Sequence, residues 1–130
     1  MSKDLEKLRA KKAWDIVSEI NRGEAELKEK YSQEAQGFPV DIISNGLLQT
    51  LAFYRLGGDD ITKKARRKLA GHLENWLFST GEDGPNIPFS TGAANSVHKL
   101  ISSSGEVYRQ ATLESLAFLQ WLKRFSKMEE

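Results

Sequence analysis

Two histidines, a few neighbouring acids and several groups of lysine and arginine are the side chains in this sequence that could do chemistry. His72 and His98 lie far apart, with no second histidine or cysteine at metal-ligand spacing and no HExxH. His72 falls near the apolar face of its predicted helix, the position of a hydrogen-bonded core or boundary residue. No GxSxG presents a nucleophilic serine, and the serines at 102–104 read as helix-end residues. GEDGPN, at 81–86, has two acids and two glycines but not the D-x-D-x-D-G…E order of a calcium loop. Asp59 and Asp60 are explained by helix capping. The expectation is a protein that is not an enzyme and uses no metal or cofactor.

The cations are more informative. Net charge is +1, so nothing pulls the whole molecule toward a polyanion. Residues 61–73, ITKKARRKLAGHL, nevertheless hold five basic side chains and no acid, while residues 1–36 balance eight against eight. Lys63, Lys64 and Arg67 group opposite the face formed by Ile61, Leu69 and Trp76. A second group, Arg109, Lys123, Arg124 and Lys127, falls opposite an apolar stripe near the end of the chain. Lysine and arginine on rigid helices suit sequence-blind phosphate contacts, so these seven are the candidate contacts with an anionic partner. Leu113 and Leu116 share the second basic side, a mixture typical of an interface. Lys7 and Lys11 project from the polar side of the first helix, with Trp14 a turn further on. These five are the candidate protein-contact residues.

The elements that position them are helical. No run alternates apolar and polar residues, whereas 3.6-residue periodicity recurs. A first helix is predicted from about Lys3 to Tyr31, with Leu5, Ile16, Ile20, Leu27 and Tyr31 on one face; Gly23 breaks or kinks it. A second starts at GFP, with Pro39 at its first position, and runs through VDIISNGLLQTLAFYRL. That segment is apolar almost all round, which predicts a central, largely buried helix. Gly46 inside it predicts another helix crossing closely. Gly57 and Gly58 stop it, and Asp59 and Asp60 cap the next helix, 61–79. Residues 80–89 form a loop, a short helix covers about 90–102, and Ser104 precedes a final helix beginning near Val107. Ala111, Phe118, Leu122 and Phe125 make the core stripe of that last helix.

The fold class is therefore all-α: a compact bundle of five or six helices, with 1–130 as one domain. No stretch is long and apolar enough for a membrane span, the charged N-terminus is unlike a signal peptide, and the absence of cysteine fits a reducing cytoplasm.

Two segments carry a resemblance. GFPVDIISNGLLQTLAFYRL at 37–56 and YRQATLESLAFLQWLKRF at 108–125, with AKKAWDIVSEI in the first helix, resemble the small helical subunit of the type III-B (Cmr) CRISPR RNA-targeting complex. The resemblance implies a non-catalytic subunit. Its copies would stack along an inner filament, beside other Cmr subunits and the guide RNA, and line the target-RNA channel, with Lys63, Lys64, Arg67, Arg109, Lys123, Arg124 and Lys127 as the candidate RNA-binding residues. The competing expectations are a free-standing helical nucleic-acid-binding regulator and a protein–protein adaptor. No helix-turn-helix signature favours the first, because the loop GEDGPNIPF is longer than such a turn.

Overall fold

A computed structural model describes residues 4–89 and 96–128. Among them are six α-helices and no strand: α1 (Leu5–Asn21), α2 (Ala25–Asn45), α3 (Leu47–Tyr54), α4 (Ile61–Leu77), α5 (Ser96–Ile101) and α6 (Gly105–Ser126). The expected helix start at Lys3 and the first part of the expected 90–102 helix lie outside the described residues.

Three caps locate helix starts, those at Asp60 and Ser104 where the sequence suggests and that at Asp4 in addition. Asp4 accepts from the Lys7 N–H (3.2 Å), Asp60 from the Lys63 N–H (2.9 Å) and Ser104 from the Val107 N–H (3.2 Å). Each satisfies one of the amide groups a helix leaves unpaired at its start. Asp60, not Asp59, is the capping residue of α4.

The boundaries around α2 differ from expectation. The chain breaks at Gly23, so Leu27 and Tyr31 belong to α2 rather than α1. Pro39 does not open a helix but sits within α2. An interior proline removes the bond to the carbonyl four residues back and costs about 3 kcal/mol. Burial on the same helix offsets this: Tyr31, Phe38 and Ile42 are almost wholly enclosed, each contributing roughly 1.5–3 kcal/mol.

Gly46 ends α2 at φ +89°, a conformation that favours glycine. The close helix crossing expected there is absent. A Cβ at Gly46 would meet only the Tyr108 hydroxyl, at 3.7 Å, so backbone conformation and not crowding explains the residue. Tyr108 instead accepts the Leu48 N–H (3.0 Å), satisfying an amide in the first turn of α3. Nor is the 40–56 segment buried all round. Leu47, Leu51 and Tyr54 are enclosed, but Val40, Ile43, Phe53 and Leu56 face outward.

α2 is the hub, packing on both α4 and α6, while α1 packs chiefly on α6. Ser32 and Gln36 donate to the Ser126 and Lys123 carbonyls, and Leu48 meets Tyr108, so α2 and α6 are antiparallel. Arg9 meets Glu114 and Trp14 meets Phe125, so α1 follows α6 in direction. The predicted stripes form the core. Ala65, Leu69, Leu73 and Trp76 of α4 and Ala111, Phe118 and Leu122 of α6 are buried, and Trp76 stacks on Phe118 with ring centroids 5.2 Å apart. After α4, residues 81–86 are held by Asn86, which accepts from the Gly81 N–H and donates to the Gly81 and Gly84 carbonyls.

Candidate nucleic-acid and protein interfaces

The five cations of α4 have different surroundings. Arg66 donates to Glu34 (2.6 Å) and lies over the Phe53 ring, 4.9 Å from its centroid. Arg67 donates to the carbonyls of Leu56 (3.1 Å) and Gly58 (3.0 Å), fixing the turn that leads into α4. Lys63 stands 3.9 Å from Asp60, the capping residue of its own helix. Only Lys64 and Lys68 are exposed and make no ion pair among the described residues. Of the sequence-predicted trio, Lys64 alone is a freely presented charge, while Arg67 is a structural brace. Lys68 was not singled out from sequence, although it follows Lys64 by one helical turn.

On α6 the arrangement is simpler. Arg109, Arg124 and Lys127 are exposed and Lys123 is half-buried at the edge; none has an ion-pair partner among the described residues. Their helix is locked in place by its opposite face, so the charges ride on a rigid support. Leu113 lies exposed among them. Leu116 is half-buried and rests partly on the core, so the two leucines are not equivalent. A shallow hollow beside Leu113 is lined by Arg9, Glu106, Arg109, Gln110, Glu114 and Ala117.

On α1, Lys7 and Lys11 are well exposed and pair only within their own helix, with Asp4 (3.9 Å) and Asp15 (3.5 Å). Such pairs contribute at most a few tenths of a kcal/mol. Trp14 packs edge-on against Phe125 at 5.3 Å yet remains substantially exposed, so it both supports α6 and presents an aromatic surface.

The chief feature missed from the sequence is a buried charge. Glu114, 8% exposed, accepts from Arg9 Nε (2.6 Å) and Nη2 (2.8 Å) and from the Trp76 indole N–H (3.0 Å). One carboxylate thus ties α1, α4 and α6 together. The hydrogen bonds to Glu114 hold the Arg9 guanidinium charged, raising its pKa against the opposing effect of burial. The available signal was an acid on the core stripe, one turn from Ala111 and Phe118.

His72 is the hydrogen-bonded boundary residue expected. Its Nδ1 lies 2.8 Å from the Tyr31 hydroxyl. Burial lowers its pKa to about 4, and Lys68 and Lys12 add to the effect while Glu19 opposes it. Among the described residues no three His, Asp or Glu side chains converge as a metal site, and no helix is long and apolar enough to cross a membrane.

The described helices thus combine unpaired cationic faces with packing motifs and no convergent reactive groups. The family model described as CRISPR-associated protein (Cas_Cmr5) matches residues 5–129, nearly the whole chain. The chain belongs to the Cas_Cmr5 family and is a small CRISPR-associated subunit of the type III-B Cmr system.

Proposed function

We propose that this subunit is a non-catalytic, cytoplasmic scaffold, acting as one domain over residues 1–130. In this reading its copies stack along the inner filament of the complex, and its cations line the target-RNA channel. The observation that carries the proposal is the outward face of α6. Arg109, Lys123, Arg124 and Lys127 are without ion pairs among the described residues, on a helix whose other face is core. Base pairing with the guide supplies sequence recognition, so the wall needs only phosphate contacts. Lys64, with Lys68 beside it, extends the same chemistry to α4.

The test is target-RNA binding by the assembled complex carrying Arg109→Glu and Arg124→Glu. Weaker binding is expected, with unchanged helical content and a shallower salt dependence. Unaltered affinity across a salt titration would remove α6 from the channel. Of the α4 candidates Lys63, Lys64 and Arg67, we assign the RNA contact chiefly to Lys64, joined by Lys68, because Arg67 is engaged by backbone carbonyls.

A protein-contact reading is favoured by Leu113, an exposed leucine amid the α6 cations. Leu113, Leu116, Trp14, Lys7 and Lys11 are the proposed contacts with neighbouring copies or subunits. Leu113→Asp should impair assembly while the free chain stays folded. Leu116→Asp should also loosen the fold, because that side chain rests partly on the core.

A further inference from the structure

Gly71 lies inside α4 and has no positive φ, unlike Gly46, Gly58 and Gly81. A glycine inside a helix is less favourable than alanine, because it gives up more backbone freedom on folding. Nothing among the described residues offsets that loss. Gly71 is exposed, and a Cβ built on it would meet no atom within 4 Å, so no neighbouring helix needs the gap. Its surface neighbours, one turn away in either direction, are Arg67, Lys68, Glu74 and Asn75, and Lys64 stands two turns earlier on the same side. Arg55, Arg67, Gly71, Glu74 and Asn75 line a hollow of about 460 Å³, with the glycine as its stretch of bare backbone.

We infer that Gly71 is a notch in α4 where the sugar–phosphate backbone of the target RNA comes close to the helix, with Lys64 and Lys68 on its phosphates. The inference rests on the channel reading above and deepens it by naming where the strand crosses α4. A missing side chain is what a close backbone approach to a ligand requires. Charge selects the ligand. Arg67 is turned to the Leu56 and Gly58 carbonyls. Glu74, 12% exposed, is held by Arg55 at 3.3 Å. The charges without ion pairs beside the notch, among the described residues, are therefore the two lysines, which complement a polyanion. Asn75, exposed on the same face, adds an amide donor. A helix from another subunit matches less well. Interface cores are depleted of charge, and none of Arg67, Lys68, Glu74 and Asn75 is apolar.

The experiment measures target-RNA affinity of the assembled complex carrying Gly71→Gln, together with thermal unfolding of the free variant chain. Gly71→Gln should weaken target-RNA binding on the order of tenfold at every salt concentration, the scale of forcing a side chain into a close contact. Its salt slope should match wild type, because no charge is lost. The free chain should melt at or above the wild-type temperature, since glutamine is the better helix former. Gly71→Ala, with one added carbon, should raise Tm by about 3–5 °C and show a smaller loss of affinity. Wild-type RNA affinity of Gly71→Gln would overturn the inference. A lower Tm in both variants would overturn it as well, by returning Gly71 to the fold. So would failure of Gly71→Gln to enter the complex, which would show that a neighbouring protein fills the notch. Lys64→Gln with Lys68→Gln separates the two claims. If that pair lowers affinity and salt slope while Gly71→Gln binds normally, the inference falls and the channel reading stands. If both bind normally, α4 leaves the channel and the inference falls with it.

Discussion

Helix α4 places five cations within residues 63–68, whereas α6 spaces four between 109 and 127. The denser run is the less available one. Arg66 and Arg67 reach Glu34, the Phe53 ring and two turn carbonyls, and Lys63 stands by the cap of its own helix. The α6 cations have no ion-pair partner among the described residues, and Arg109, Arg124 and Lys127 are exposed. Position on the helix decides between these outcomes. A guanidinium near a helix start finds the carbonyls ending the preceding helix, and its planar fork suits them. Cations distributed along the side opposite a core stripe have nothing to meet but solvent or a partner. Local charge density in sequence is thus a poor guide to the charge a partner encounters.

The sharpest test of that contrast takes bracing to its buried extreme. Arg9→Met leaves the Glu114 carboxylate enclosed without its charge partner and should destabilise the chain by about 3–5 kcal/mol in urea titrations. A loss under about 1 kcal/mol would mean water or Trp76 suffices for Glu114. Next comes the inner face of α4, where pH is the probe. The folded protein takes up the His72 proton only near pH 4, against an ordinary value of 6.5. Stability from neutral His72 is therefore full above pH 6.5 and falls as pH drops toward 4, by up to about 3 kcal/mol. The difference between wild type and His72→Gln isolates the His72 contribution; equal pH profiles would contradict it. Arg66→Ala, losing the Glu34 pair and the Phe53 contact, should cost about 1–2 kcal/mol. Smallest in stability is Arg124→Ala with Lys127→Ala, within about 0.5 kcal/mol of wild type. The same pair should lower the salt slope of target-RNA binding by about 1.4 if both meet a single strand. An α6 pair that destabilised as much as Arg66→Ala would erase the distinction between the two helices.

Periodicity and capping made much of this fold legible. The stripes on α4 and α6, the caps at Asp60 and Ser104 and the break at Gly23 follow from local rules. What escaped was non-local. α2 runs through Pro39 because its buried face outweighs a missing hydrogen bond, and Gly46 turns the chain where an unbroken apolar pattern suggested continuity. An all-round apolar segment is half exposed because the bundle covers only one side of it. Among the contact candidates, Leu113 lies exposed, as its wheel position implies, and Trp14 is partly packed under α6 through Phe125. Arg67 could be recognised as a brace, and Glu114 as a shared node, only once distant segments were placed side by side.

The Arg9–Glu114 pair spans 105 positions of chain. Synthesis proceeds from the N-terminus, so α1 lacks its carboxylate partner until α6 follows. Until then the Ala13–Ile20 stripe stays uncovered and the nascent chain is sticky. Docking of α1 is consequently gated by the synthesis of α6, and a ribosome stalled before α6 would display an adhesive intermediate rather than a half-built bundle.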